Sequence, residues 1–348
     1  MKRKGVVNMK SLAVFLQLSF ILLALSSSNG GEDLAGILKE FVKNCKLGKA
    51  VSFKNLTIFP VSPAKIPNLP RILTLDEASK SDELVISEVG EGEVNKVSLQ
   101  NNSKNYVFIM AGEILTGCKQ DRVLKNDILL PPKSKKFIVP AFCVEARRWQ
   151  WTSPRFSPAP AMASVGVRKR AEIDESQTGV WDEISSTLRT FSAKVPGEAL
   201  KEIYEVPQVK GKMDDYFKAL ENIPRDYPEA TGIIVFIGKE FLCFDIFGGN
   251  ELFKNLYPKL LKSYILEALA REGEDGKAPR EKALGVLREL AGAEAKMGEK
   301  PPEGNLLEIE TFTIKGSALI FKEGVVHLAV FQKEKKAEEI PPIFRRYR

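Results

Sequence analysis

From Tyr106 to Glu145 the chain alternates between short apolar runs and short polar breaks. YVFIM, GEILTG, QDRVLKNDILL and KFIVPAFCVE follow one another closely, with PPKSK as the turn before the last. Runs this short and this closely spaced are strands, because an amphipathic helix needs ten or more residues of period 3.6 to bury one face. Successive strands joined by such brief polar turns form an antiparallel sandwich or a jelly roll. That expectation constrains the rest of the chain, which must either extend this sheet system or pack against it.

The flanking segments predict an α+β fold. Upstream, EDLAGILKEFVKNCK has helical spacing, VSFKNLTIFPVSP reads as a strand ended by prolines, and DEASKS reads as a short helix between strands. Downstream, SPRFSPAPAMAS is rich in Pro and Ser and reads as a long surface loop. SQTGVWDEISSTLRTFSA is an amphipathic helix with Ser176 or Thr178 as its cap. GIIVFIGKEFLCFDIF is a hairpin turning at Gly238-Lys239, and Pro258 marks a kink or a start in the long helix that follows. A further helix and the strands of LLEIETFTIKGSALIFKEGVVHLAVFQ complete the pattern, with Gly324 in a turn. The expected organisation is a β-rich lobe over residues 29–150, a connecting loop over 151–175, a helix-plus-antiparallel-sheet lobe over 176–335 and a charged tail over 336–348.

The first residues stand apart. MKRKGVVNMK is basic, SLAVFLQLSFILLAL is apolar, and SSSNGG supplies small residues, which is the order of a secretory signal over residues 1–28. The apolar run is shorter than the roughly 20 residues that span a bilayer, so cleavage is favoured over an uncleaved anchor. The mature chain is then expected to carry no membrane span and to be secreted or extracytoplasmic. Loss of Lys2, Arg3, Lys4 and Lys10 takes the net charge from +7 to +3. The high isoelectric point is therefore no argument for nucleic-acid binding. Export also permits oxidation of Cys45, Cys118, Cys143 and Cys243. Cys118 and Cys143 are expected to lie close together, whether or not they bond.

The stretch from Gly112 to Trp149, GEILTGCKQDRVLKNDILLPPKSKKFIVPAFCVEARRW, resembles the family named for its association with ADP-ribosylglycohydrolase and rhodanese-phosphatase proteins. The resemblance continues through Gln177, Val180 and Trp181, through FIGKEFLCFDIFGGNELFKNLYPKLLKSY, and through Val326, His327, Leu328 and Phe331. It covers about Val51 to Phe331. The family name implies a link to ADP-ribose or NAD metabolism by association only, and no activity follows from it. Cys143 matches the family pattern, whereas Cys118 stands where a small residue is implied.

Three kinds of chemistry suit the polar residues of these blocks. Cys143 with His327 as base and Glu145 as orienting group would be a nucleophilic pair. The competing reading makes Cys143 a small buried hydrophobe and His327 a strand residue against the core. Glu113 and Glu145 would be an acid–base pair if the fold brought them together. Lys119, Arg122, Arg147 and Arg148 would hold a phosphate or a carboxylate, with Gln120 and Asn126 reading its polar edge, Gln177 as a further ligand-binding candidate, and Trp149 and Trp151 walling the site. If Gln120 and Arg122 face inward, the nearest partner expected for Arg122 is Glu113 or Glu145. A single histidine cannot build a cupin-type metal site, and no metal site is expected. No nucleotide-binding or hydrolase motif occurs, so neither a cofactor nor an oligomeric state is indicated. The expected function is binding of a small-molecule ligand, with or without catalysis. The alternative is a non-catalytic interaction module outside the cytoplasm.

Overall fold

The computed structural model describes residues 33–192 and 198–334; the expected signal over 1–28 and tail over 336–348 lie outside the described residues. Helical residues 33–43 (α1) precede β1 (Lys46–Leu47), β2 (Val51–Phe53), β3 (Leu56–Ser62), β4 (Ile72–Thr74), α2 (Leu75–Lys80), β5 (Leu84–Ser87) and β6 (Lys96–Asn101). The β-run supplies β7 (Tyr106–Ile109), β8 (Glu113–Gly117), β9 (Arg122–Leu124), β10 (Ile128–Leu130) and β11 (Phe137–Cys143). Next come β12 (Phe156–Met162), α3 (Val165–Glu172), α4 (Gln177–Thr190), α5 (Leu200–Ile203), α6 (Pro207–Leu220) and α7 (Ile223–Asp226). The chain ends with β13 (Gly232–Ile237), β14 (Glu240–Phe247), α8 (Asn250–Ala270), α9 (Arg280–Ala291), β15 (Glu294–Met297), β16 (Asn305–Glu310), β17 (Ile314–Phe321) and β18 (Gly324–Gln332).

The fold is α+β, with three sheets among the described residues. A six-stranded antiparallel sheet has the order β12-β8-β9-β11-β6-β5, and a three-stranded sheet has the order β10-β7-β4. A nine-stranded antiparallel sheet runs β1-β3-β13-β14-β18-β17-β16-β15, with β2 added on β3. β3 was expected in the first lobe, yet it pairs with β13 over six residues, from Val61 opposite Gly232 to Leu56 opposite Ile237. Residues 151–175, expected as a connecting loop, hold β12 and α3. β12 tolerates Pro158 and Pro160 because it is an edge strand, where a missing N–H removes no ladder bond. Pro258 lies inside α8, and Gly324 opens β18 instead of sitting in the turn before it.

Alternation explains the continuous apolar runs of the β-segments. On β7, Phe108 joins the central core while Val107 and Ile109 point into the core between the two smaller sheets. Ile114 and Val123 face the centre, and Leu115 and Leu124 face the other way. Strands buried on both faces lose the polar half of the alternating pattern. The nine-stranded sheet is likewise covered twice. α1 and α9 pack Leu38, Val42, Ala283 and Leu290 on one side. α8 packs Leu256, Leu260 and Tyr264 on the other. α8 is hydrophobic nearly all round, with 14 of its 21 residues buried, as a helix between two layers must be. Among the described residues, no helix is long and apolar enough to cross a membrane.

Candidate functional site

The polar residues singled out above fall into separate buried clusters. The first is built on the turn between β8 and β9. Gly117 (φ +115°) and Cys118 (φ +46°) bend the backbone into the left-handed region. A side chain at Gly117 would also collide with Ser153, so only glycine fits there. The bend carries Gln120, Asp121 and Arg122 inward. Arg148 closes the turn from outside. Its Nε lies 2.8 Å from Glu145 Oε1, its Nη2 lies 3.0 Å from Asp121 Oδ1, and its Nη1 donates to the Cys118 carbonyl at 2.8 Å. Burial disfavours the guanidinium charge, but Glu145 and then Asp121 outweigh it and hold the Arg148 pKa above its usual range. Lys201 Nζ adds a contact to Asp121 at 2.8 Å.

Arg122 is fully buried, and its carboxylate is Glu88, 3.7 Å away, in place of the expected Glu113 or Glu145. Its Nη1 donates to the Gln120 carbonyl at 3.1 Å. Gln120 Nε2 donates to the Glu145 carbonyl at 3.0 Å, and the Cys143 thiol lies 3.1 Å from Gln120 Oε1. Gln177 at the start of α4 clasps Cys143 on both sides: its Oε1 accepts from the Cys143 N–H at 2.8 Å, and its Nε2 donates to the Cys143 carbonyl at 2.9 Å. Gln120, Arg122, Cys143, Glu145, Arg148 and Gln177 therefore do converge, each with at least one internal partner, although Arg122 Nε and Nη2 make no hydrogen bond among the described residues. The arrangement ties β9, β11 and α4 together.

Two candidate pairings are not formed. Cys143 and His327 have entirely different partners, and so do Glu113 and Glu145. Glu113 is buried against Lys259 Nζ at 3.0 Å, which also reaches Asp76 at 2.6 Å. All four cysteines are free thiols, and Cys118 packs in the apolar core of the β-lobe. Burial, with Glu88 adding to it, raises the Cys118 pKa to about 11; burial raises that of Cys143 as well. Thiols held protonated in this way are poor nucleophiles. Lys119 remains at the surface, over the rings of Trp149 (5.2 Å) and Trp151 (5.3 Å).

A second cluster sits where the β9–β10 turn meets the nine-stranded sheet. His327 on β18 is wholly buried and stacks on Phe247 at 4.4 Å. Its Nδ1 lies 2.6 Å from Asp127 Oδ2, and its Nε2 lies 3.4 Å from Asp245 Oδ1. Arg168 on α3 grips both oxygens of Asp245, at 2.6 and 3.2 Å, and Tyr264 donates to Asp245 Oδ2 at 2.7 Å. Gly112 makes room for this, since a side chain there would collide with the Arg168 stem. Burial opposes protonation of His327, but Asp127 and Asp245 overcome it and raise its pKa to about 9. At neutral pH two cations, His327 and Arg168, thus balance two carboxylates, Asp127 and Asp245.

Glu172, at the end of α3, is a fifth group that forms no ion pair among the described residues. Burial first, and then the charge of Asp127, raise its pKa to about 7. Its Oε1 accepts from Ser317 Oγ at 2.6 Å, whereas its Oε2 is buried without a hydrogen-bond partner among the described residues. Glu172 and Ser317 line a cavity of about 60 Å3 together with Lys125, Asn126 and Lys315. Asn126 is the sequence candidate that reaches this cavity, and its Nδ2 donates to Glu299 Oε2 at 3.0 Å. Among the described residues, no group of three or more metal-binding side chains is arranged to hold an ion.

Sequence reasoning missed Glu88, Asp121, Asp127, Arg168, Glu172 and Asp245. Asp127 had one signal, its place beside Asn126 in the most specific block. Glu172 lies in RKRAEIDE, which reads as a solvated charged stretch. No curated protein and no solved structure matches the chain. The sequence model of the ARG and Rhodanese-Phosphatase-superfamily-associated Protein domain matches residues 44–331. That span takes in all three sheets, the Arg148 turn and the Glu172 cavity, and the chain belongs to the ARPP-1 family.

Proposed function

We propose that this is an exported protein that binds a small polar ligand in the cleft over Glu172, with Glu172 as the group that donates or accepts a proton. The observation that carries the reading is the unpartnered, buried Oε2 of Glu172 at a cavity between the β-lobe turn and the large sheet. A buried oxygen without a partner forfeits roughly 1–3 kcal/mol, a cost that a ligand donor recovers. A carboxyl group that titrates near pH 7 is matched to acid–base work in the neutral range. Ser317, Asn126 and Lys315 give the cleft further hydrogen-bonding groups. Neither Arg122, which is wholly buried, nor Arg148 lines this cleft, so the phosphate or carboxylate they suggested gains no support here. A neutral head such as an amide or an alcohol suits the Glu172 oxygen better. Export rests on the basic, apolar and small-residue order of the first 28 residues.

The test is a panel of small amides, alcohols and carboxylic acids titrated into the protein by NMR. Amides or alcohols should shift signals around Glu172, with affinity changing between pH 6 and 8, and Glu172→Gln should remove that pH dependence. Binding that is unchanged in Glu172→Gln would overturn the reading.

A second reading is favoured by Trp149 and Trp151, which are 46% and 52% exposed around Lys119. Exposed aromatics beside a cation are common at interaction surfaces. If the protein is an interaction module instead, replacing both tryptophans by alanine abolishes partner capture from the extracytoplasmic fraction. Glu172→Gln then leaves that capture intact.

A further inference from the structure

The Glu172 cleft does not end at Asn126. Glu299 Oε2 accepts from Asn126 at 3.0 Å and lies 3.3 Å from Lys125 Nζ, forming a bridge across the cleft. Beyond it is a second cavity of about 290 Å3, which shares Asn126, Glu299 and Leu306 with the first. Its remaining walls are apolar: Ile128, Phe137, Ile138 and Val139 on one side, Pro301 and Pro302 on the other. The polar groups that border it are engaged elsewhere. Asp127 faces His327 and accepts from the Ala111 N–H, while Lys300 Nζ donates to the Gly304 carbonyl at 2.7 Å. Ile138 is 60% exposed, a large share for an isoleucine beside a cavity.

Two cavities with a shared wall, one polar with an unpartnered acid and one apolar, fit a molecule with two unlike ends. We propose that this bipartite cleft takes an amphipathic small molecule. Its hydrogen-bonding head meets Glu172, and its aromatic or branched aliphatic body lies between Ile138 and the Pro301–Pro302 turn. The Asn126–Glu299 bridge parts to admit the link. This rests on the Glu172 reading above and specifies its ligand class. The body is about one ring in size, since the apolar cavity lies at the lower end of the roughly 300–1,000 Å3 usual for ligand sites.

The probes are acetamide, which has the head alone, and benzamide, which adds a ring, each titrated into the purified protein by NMR. Benzamide should bind at least tenfold more tightly than acetamide. Ile138→Glu, at an exposed position, should remove that advantage and leave acetamide unaffected. Pro302→Glu, on the opposite wall, provides an independent block should Ile138→Glu disturb β11. Glu172→Gln should weaken both probes at least tenfold. If benzamide binds no better than acetamide, or if both blocking variants leave its advantage intact while Glu172→Gln weakens both probes, the apolar annex is wrong and the Glu172 cleft stands. If neither probe binds, or Glu172→Gln changes neither affinity, the cleft itself is wrong and the annex falls with it.

Discussion

The Arg148 turn and the His327 cluster are both buried polar networks between strands, yet they differ in one respect. At the turn, the cations Arg122, Arg148 and Lys201 meet three carboxylates, Glu88, Asp121 and Glu145. In the His327 cluster two cations meet two carboxylates, and Glu172 is left over beside a cavity. A charge-balanced network holds strands in register, even with Arg122 Nε and Nη2 and Glu88 Oε2 left without hydrogen bonds among the described residues. An acid outside the ion pairs and beside a cavity is the feature on which the proposed site rests. Charged residues buried together are thus not in themselves evidence of a site.

The comparison breaks most visibly at Asp245. Asp245→Ala leaves Arg168 buried without its partner and removes the acceptor of Tyr264, so we expect a loss of about 3–5 kcal/mol in urea unfolding, or no folded protein. An Asp245→Ala protein with near-normal stability would mean that this cluster is not the strict charge balance described.

Glu172→Gln should act in the opposite direction. The folded pKa of Glu172 is raised from 4.5 to about 7. Below pH 4.5 it is protonated in both folded and unfolded chains and has no effect. As pH rises from 4.5 to 7 the unfolded chain ionises first, so a penalty grows, and above pH 7 it is constant. The glutamine variant should therefore gain stability over the parent on the order of 3 kcal/mol above pH 7 and nothing below pH 4.5. His327 has its own window. With its pKa raised from 6.5 to about 9, the stability it contributes is fully present below pH 6.5 and lost as pH rises through 9. His327→Gln should flatten that decline in a pH series of thermal melts.

Arg148→Ala should cost about 2 kcal/mol, because Glu145 and Asp121 lose their main partner in a half-open setting where Lys201 and water take up part of the charge. The cleft should keep its acetamide affinity in this variant, and a large loss there would show that the two networks are coupled. The smallest effect belongs to Gln177→Ala, about 1 kcal/mol for two bonds to the Cys143 backbone that water can partly replace. A destabilisation beyond 3 kcal/mol would give α4 a larger part in the turn than the two bonds allow.

Much of the β-run was legible because strand length and turn chemistry are local. The same locality explains the failures. SPRFSPAPAMAS reads as a loop since proline lacks an N–H, and only its position at a sheet edge makes β12 possible. Arg122 was legible as an inward residue needing a carboxylate. That the carboxylate is Glu88 was not, since nothing in SEVGEGE marks one glutamate as buried.

By itself the sequence determined the α+β class, the strand periods, the turn at Gly238 and the family, because each rests on residue identity over short spans. Tertiary structure alone decided that β3 joins β13, that His327 lies between Asp127 and Asp245, and that Glu172 is buried without an ion pair among the described residues. Pairing across more than a hundred residues follows from the burial of whole faces, which no local pattern records. The state of a carboxyl group depends on the sum of charges and solvent around it, and that sum exists only once the chain has closed over it.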